Sequence, residues 1–149
     1  MALLYPEMIM DHAHRPRNFG EIQDPTCMLD GINPVCGDQL TLYLKIEEDE
    51  ITGITFKGSG CAISQASASL MTTALKGLKR EEALALFARI HLMLTTEPDG
   101  EVKTAELGKL AVLSGIWEYP TRIKCATLAW QTLRRALTET VDQKGKSKE

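Results

Sequence analysis

Three of the four cysteines lie where the chain turns or where a helix begins, and a carboxylate lies beside the first of them. Cys36 follows an Asn-Pro-Val turn, and Asp38 comes two residues later. Cys61 follows Gly-Ser-Gly, and Cys125 comes shortly after Pro120. Turns and helix N-termini let side chains converge without disrupting a core, and a helix N-terminus favours the thiolate form of cysteine. Thiolates bind metals and attack sulfur, so these residues predict a metal site or a reactive thiol.

These four side chains also make a complete ligand set for one metal ion. Three thiolates and one carboxylate suit tetrahedral zinc or the iron of a cluster. Against one zinc dication they leave a charge of about −2, by the ligand chemistry of such sites. Arg122 and Lys124 flank Cys125 and are placed to offset that excess. We expect the Asp38 oxygen to exchange most readily, because it is the one oxygen donor among sulfurs.

The spacing of the cysteines leaves a second interpretation open. No Cys-x-x-Cys pair is present, which weakens a metal assignment made from spacing and disfavours a thiol-disulfide oxidoreductase. A single cysteine in an apolar region is usually a small buried core residue, and this is our interpretation of Cys27. The residues by themselves therefore allow either metal and thiol chemistry or structural roles for the other three cysteines.

The bulk composition narrows the class of protein. The 149 residues are 44% apolar and 25% charged, as is usual for one globular domain. A net charge of −3 gives no electrostatic case for nucleic acid. No apolar run approaches the roughly 20 residues of a membrane span, and the first residues do not resemble a secretory signal. We therefore expect a cytoplasmic protein whose cysteines serve metal or thiol chemistry rather than disulfides.

The periodicity of apolar residues predicts the elements that position the four residues. Apolar and polar residues alternate over 40–46, and a charged turn leads into a second strand pattern over 51–57, so the two predict a hairpin. Residues 26–30 predict a third strand, because an isolated hairpin is marginal. From Cys61 onward the spacing becomes helical. The predicted helices are 3–12, 61–78, 80–95, 106–113 and one that begins near Pro120.

Strands followed by helices predict an α+β fold, with a small antiparallel three-stranded sheet and helices packed on one of its faces. We expect one domain over residues 1–141. The polar, lysine-rich residues 142–149 predict a disordered tail.

Four stretches of the chain carry a resemblance to a known family. They are 5–20 with its Asp-His and Pro-Arg-Asn, 33–38 with Asn-Pro-Val-Cys-Gly-Asp, 58–69 with Gly-Ser-Gly-Cys-Ala-Ile-Ser-Gln-Ala-Ser, and 122–130 with Arg-Ile-Lys-Cys-Ala-Thr-Leu-Ala-Trp. In this order they resemble the U-type iron–sulfur scaffold family of IscU, SufU and NifU-like proteins. Lys124 stands where IscU-like relatives have a histidine, and residues 80–115 resemble an insertion of the SufU-like branch. The resemblance is therefore closest to that branch.

The resemblance implies an IscU/SufU-like fold and a zinc ion held by Cys36, Asp38, Cys61 and Cys125. It implies that Cys36 is the mobile ligand that accepts persulfide sulfur from a SufS-like cysteine desulfurase, with Arg122 supporting the site. A downstream iron–sulfur apo-protein or assembly complex would be the further partner. The resemblance also implies that His12 contacts the site or a partner.

Three functions stay open at the level of the sequence. The first is a zinc-bound sulfur acceptor, and the second is a scaffold that assembles and transfers a [2Fe–2S] cluster on the same ligands, with iron in place of zinc. The third is a binding module with structural zinc, which Asp38 disfavours because closed structural sites usually take cysteine and histidine ligands. The sequence leaves open whether the protein is a zinc-dependent sulfurtransferase-like enzyme or a non-enzymatic scaffold.

Overall fold

A three-stranded antiparallel sheet and four helices make up the part of the chain that the computed structural model describes, which is residues 4–34, 37–95 and 123–147. The sheet has the order β1-β2-β3, so each strand pairs with its neighbour in sequence. This arrangement confirms the predicted fold class. The elements in chain order are α1 (Leu4–His14), β1 (Cys27–Asn33), β2 (Asp38–Glu47), β3 (Glu50–Ser59), α2 (Ala62–Leu75), α3 (Arg80–Thr95) and α4 (Ile123–Ser147).

The hairpin of β2 and β3 closes through a tight turn of two residues. Glu48 and Asp49 both have positive φ, at 51° and 66°. Two consecutive residues with positive φ match the right-handed twist of the paired strands. The ladder runs from Glu47 opposite Glu50 to Gln39 opposite Ser59, with one irregularity between Lys45 and Ile46.

The connection between β1 and β2 lies at the other end of β2, opposite the Glu48–Asp49 turn. Asn33 pairs with Asp38, so residues 34–37 form the connection, and this stretch contains Cys36. Gly37 has φ +75° and donates its backbone N–H to the carbonyl of Asn33 at 2.8 Å. A positive φ favours glycine, so Gly37 suits the close of this connection.

Helices cover one face of the sheet and enclose the core. The sheet contacts α2 and α4, whereas α1 packs on α2 and α3 packs on α4. Inward-facing side chains of β2 are almost completely buried, because alternate residues of a strand point to the same face. Burying such an aliphatic or aromatic side chain contributes roughly 1.5–3 kcal/mol to folding. The largest fully buried side chains include Leu42, Phe56, Leu70, Trp130 and Leu94.

Small residues let the elements of the helical layer approach closely. The α2 residues Ala66, Ser67 and Ser69 are buried, with exposed fractions of 0%. Across the layer, a Cβ added at Gly31 of β1 would collide with the Thr132 side chain of α4. Glycine at that position therefore permits the contact between β1 and α4.

Element boundaries differ from the predictions at several points. α1 continues to His14, and β1 extends to Asn33 rather than ending at residue 30. α2 ends at Leu75 instead of 78, because the next residue leaves the helical conformation with ψ 125° and Gly77 has φ +93°. α4 continues to Ser147, so no helix ends at residue 141. The domain boundary expected at residue 141 stays a prediction. The helix predicted over 106–113 lies outside the described residues.

Among the described residues, no helix combines the length and apolar character needed to cross a membrane.

Candidate metal centre

Three of the four predicted ligands converge at one end of the sheet. Asp38 begins β2, Cys61 directly precedes α2, and Cys125 lies in the first turn of α4. The two Sγ atoms and a carboxylate oxygen of Asp38 all lie within 4.8 Å of one another. Neighbouring ligands of tetrahedral zinc lie about 3.5–3.8 Å apart, given the usual zinc–ligand bond lengths. The three groups could therefore coordinate one ion after small side-chain adjustments.

The two oxygens of the Asp38 carboxylate have different surroundings, and the difference supports a metal site. Asp38 is 1% exposed, and its Oδ1 accepts a hydrogen bond of 2.9 Å from the backbone N–H of Cys61. Its Oδ2 is buried and has no hydrogen-bond partner among the described residues. A buried polar atom without a partner is costly, so native structures normally supply one. A metal ion between this oxygen and two sulfurs would supply it, and the residues present fit zinc in this respect.

The backbone before α2 is shaped to admit this carboxylate. A Cβ at Gly60 would lie 2.6 Å from Asp38 Oδ1, which is too close for any side chain. Gly58 has φ +153°, and a Cβ there would collide with the backbone of Gln39. From its position, Gly-Ser-Gly predicts the junction between the hairpin and the helix that begins near Cys61, but not this contact with Asp38. Two glycines in three residues at the end of a strand were the available signal for a close backbone approach.

Cys61 occupies the N-cap position of α2. Its backbone is extended, with φ −71° and ψ 168°, and its Sγ accepts from the backbone N–H of Ser64 at 3.4 Å. The unpaired N–H groups and the dipole at a helix N-terminus favour a negatively charged cap. The sequence predicts a helix start at this position, and the structure places Cys61 there. Cys61 is half-buried, whereas Cys125 is 0% exposed.

Two predicted site residues cannot be placed relative to these three. Cys36 and Arg122 lie outside the described residues. Their roles as sulfur acceptor, fourth ligand and supporting cation therefore stay predictions. Lys124, the other cation beside Cys125, is exposed at the start of α4.

Other residues considered for chemistry lie in packing positions. Cys27 is 5% exposed, and its Sγ lies 3.8 Å from the carbonyl oxygen of Ala136, in agreement with its interpretation as a core residue. His12 is buried, and its Nδ1 lies 2.7 Å from Ser69 Oγ, so it joins α1 to α2. The expected contact of His12 with the metal site or a partner stays a prediction.

Two exposed ion pairs of the described chain carry shifted pKa values. The hydrogen bond from the Arg17 guanidinium holds the pKa of Asp11 below its usual value. The hydrogen bond to Glu21 raises the pKa of Lys57. Both pairs are exposed, so they describe surface electrostatics and not the thiol and carboxylate cluster.

Together the fold and the cluster define a small α+β domain with a cysteine and aspartate metal site, and comparisons with known proteins agree. Residues 4–126 match the NifU-like N terminal domain. The chain therefore belongs to that family, which confirms the resemblance to IscU, SufU and NifU-like proteins.

Named relatives and a solved structure match most of the chain. It is 41% identical over 140 residues to the iron–sulfur cluster assembly scaffold protein IscU of Streptococcus pyogenes serotype M1, covering 90% of this chain and 82% of the relative. It is 40% identical over 137 residues to the zinc-dependent sulfurtransferase SufU of Bacillus subtilis, covering 91% and 90%. The crystal structure of FiSufU from Fervidobacterium islandicum AW-1 matches with a TM-score of 0.82 and 35% identity, covering 91% and 97%.

Proposed function

We propose that this protein is a zinc-dependent sulfur acceptor of iron–sulfur cluster assembly, which takes persulfide sulfur from a cysteine desulfurase. The observation that carries the proposal is the Asp38, Cys61 and Cys125 cluster, in which one oxygen of the buried carboxylate has no hydrogen-bond partner in the described chain. Membership of the NifU-like family and 40% identity to a relative named zinc-dependent sulfurtransferase support it.

Cys36 completes the ligand set in this proposal. It is two residues from Asp38, so chain connectivity limits the distance between their Cα atoms to about 7.6 Å. The three described ligands are each fixed, because Asp38 pairs in the sheet, Cys61 caps α2 and Cys125 is buried in α4. Cys36 lies in sequence between the paired residues Asn33 and Asp38. In this proposal Cys36 is the ligand that leaves, and not the oxygen donor Asp38, because Asp38 is held by its strand pairing. Arg122 offsets the negative charge of the ligands.

Sulfur transfer then needs no oxidant or reductant. Zinc, when bound, keeps the thiols of its ligands ionised at neutral pH. The thiolate of Cys36 attacks the terminal sulfur of the desulfurase persulfide, and a new sulfur–sulfur bond forms at Cys36 Sγ. The sulfur–sulfur bond of the donor breaks, and its cysteine leaves as a thiolate with the electron pair. Asp38, Cys61 and Cys125 keep their positions during the exchange.

A second function, direct cluster scaffolding, is favoured by the donor set itself. Thiolate ligands serve iron–sulfur clusters as well as zinc, and a relative at 41% identity is named an assembly scaffold. In that case a [2Fe–2S] cluster is cargo, built on the same residues and passed to a downstream apo-protein or assembly complex. Under either function we place the protein in the cytoplasm, where thiols remain reduced.

The test is the metal and sulfide content of protein purified without oxygen, together with desulfurase turnover. The acceptor function predicts about one zinc per chain, as for sites of this ligand set, without acid-labile sulfide. It also predicts that Cys36→Ala abolishes stimulation of the desulfurase. Cys27→Ala is the matched control, because Cys27 is a core cysteine away from the cluster.

The alternative outcomes separate the functions. Iron with equimolar labile sulfide, transferable to an apo-acceptor, would establish the scaffold function instead. Bound zinc with full desulfurase stimulation after Cys36→Ala would reject sulfur acceptance at this residue and leave a structural metal site.

A further inference from the structure

A buried hydrogen-bonded contact joins α2 to α4 close to the metal centre. The Ser67 hydroxyl of α2 donates to the carbonyl oxygen of Ala126 at 2.6 Å. The indole N–H of Trp130 donates to the same hydroxyl oxygen at 3.2 Å. Ser67 and Ala126 are 0% exposed and Trp130 is 1% exposed, so solvent does not compete for these groups. One serine thus holds α4 at two points that are one helical turn apart.

This contact lies between the helix segments that carry two of the ligands. Ala126 directly follows Cys125, and Ser67 comes six residues after Cys61. Six residues of α-helix correspond to about 9 Å along the axis. A change in how α4 slides or rotates against α2 therefore changes the distance between the two sulfurs, which lies within 4.8 Å.

We propose that Ser67 is a positioning residue that fixes the separation of Cys61 and Cys125. The effect of Ser67 on metal binding rests on the proposed function, in which these two cysteines bind zinc. The surrounding contacts between α2 and α4 are largely apolar, and apolar contact is not directional. Hydrogen bonds to Ala126 and Trp130 have preferred lengths and angles, so they select one axial position of α4. Metal sites need that precision, because ligand distances must be correct to about 0.2 Å.

The decisive variant is Ser67→Ala, and the chain offers two matched controls. Ser69→Ala removes another fully buried hydroxyl from the same helix, but this hydroxyl contacts His12 and the backbone N–H of Arg17 on the α1 side. Trp130→Phe removes the indole donor and leaves the bond from Ser67 to Ala126 in place. All three variants lose buried polar contacts, but Ser67→Ala removes both hydrogen bonds between α2 and α4, Trp130→Phe removes one of them, and Ser69→Ala removes neither. Ser69→Ala is therefore the full control, and Trp130→Phe is a partial one.

Zinc affinity, measured by competition with a chelator, is the first readout. We expect Ser67→Ala to weaken binding at least tenfold, as is typical when a residue that orients metal ligands is lost. Ser69→Ala should stay within about twofold of wild type, the scatter expected for an uncoupled site. Trp130→Phe keeps the bond from Ser67 to Ala126 and should lose less affinity than Ser67→Ala. Cobalt(II) substituted for zinc should show a weakened thiolate charge-transfer band in Ser67→Ala and not in Ser69→Ala.

A metal-free readout separates this inference from the proposed function. In a Cys27→Ala/Cys36→Ala background, Cys61 and Cys125 are the two cysteines left, and the short bifunctional reagent dibromobimane reports their separation. Because Cys125 is buried, the rate of cross-linking in the apo-protein is divided by the rate of labelling with the monofunctional reagent monobromobimane, which depends on access alone. This ratio should be lower with Ser67→Ala than with either control. If wild type binds no zinc, the metal part of the proposed function fails, while the cross-linking ratio still decides the role of Ser67.

Two results would overturn the positioning role. One is a cross-linking ratio and a zinc affinity in Ser67→Ala that both lie within twofold of Ser69→Ala. The other is a loss of affinity that follows the loss of stability equally in all three variants, since that is the behaviour of a purely structural residue. If Ser67→Ala does not fold, Ser67→Ala/Trp130→Phe replaces it, because it leaves fewer buried polar groups unpaired.

Discussion

At the scale of single residues, Asp38 shows how one side chain can serve both the fold and the metal. Its Oδ1 accepts from the backbone N–H of Cys61, which ties the first residue of β2 to the cap of α2. Its Oδ2 is buried without a hydrogen-bond partner in the described chain, and the carboxylate lies within 4.8 Å of the two sulfurs. One oxygen therefore holds Cys61 in place, and the other is available to bind the metal.

Asp38→Asn separates these two tasks. The amide oxygen can still accept from Cys61, but an NH2 group replaces Oδ2 and cannot bind a metal. We expect zinc affinity to fall at least tenfold, as for loss of a group important to a metal site, whereas the apo-protein keeps or gains stability because a buried carboxylate is removed. Chelator competition and thermal unfolding of the apo-protein measure the two effects.

Asp30→Asn is the control for this change. Asp30 is exposed on β1, and its Oδ1 accepts from the Thr41 hydroxyl at 2.7 Å. It should bind zinc as wild type does. Unchanged zinc affinity in Asp38→Asn would remove Asp38 from the ligand set.

At the scale of elements, Arg80 joins three parts of the chain at the start of α3. Its Nε donates to Asp49 Oδ1 at 2.9 Å in the turn between β2 and β3. One terminal nitrogen donates to the carbonyl oxygen of Leu137 in α4 at 2.6 Å. The Arg80 side chain is 8% exposed and that of Asp49 54% exposed, so the buried bond to Leu137 should contribute more than the ion pair.

Arg80→Ala tests how much these hydrogen bonds of Arg80 contribute to stability. Hydrogen bonds to charged groups contribute about 1.5–3 kcal/mol, so we expect a loss of about 2 kcal/mol in the free energy of unfolding. Urea denaturation measures it. Arg134→Ala, an exposed arginine on α4, should change stability by less than about 0.5 kcal/mol. Equal losses in the two variants would show that the buried contacts of Arg80 add no more to the free energy of unfolding than an exposed arginine does.

The elements themselves were largely predictable, whereas their contacts were not. Alternation over 40–46 and helical spacing after Cys61 predicted the hairpin and α2, because each pattern depends on local periodicity. The meeting of Asp38 with Gly60 depends on strand register, in which Gln39 pairs with Ser59. The pairing of β2 with β3 also has an irregularity near Lys45, which the alternation of apolar residues does not reveal.

The role of Ser67 was hidden for a related reason. Helical spacing assigns Ser67 a face of α2 but does not tell which group of another helix it meets. Its partners Ala126 and Trp130 are about 60 residues away in sequence, and such pairings are set by tertiary packing. The motif over 58–69 contains Ser67 as well as Cys61, but a motif on one helix does not identify the group on another helix that the serine contacts.

At the scale of the whole molecule, the metal site is an addition to a core that can fold without it. The cluster lies at one end of the sheet, where three elements meet, while the buried apolar residues extend along the whole sheet and four helices. Domains of this length bury enough surface to fold without a metal, unlike zinc fingers. Metal binding should therefore stabilise the folded state without creating it.

Removal of zinc should lower stability while leaving the secondary structure intact. At a free zinc concentration of 100 times Kd, binding contributes about 2.7 kcal/mol, which corresponds to a Tm decrease of about 5–10 °C for a domain of this size. Calorimetry and circular dichroism with and without chelator measure both quantities. Exchange of the Cys61 amide hydrogen adds a local test, because that N–H is bonded to Asp38. If zinc holds Asp38, chelation should speed this exchange more than that of core amides in β2, whereas a random-coil spectrum after chelation would show that the core depends on the metal.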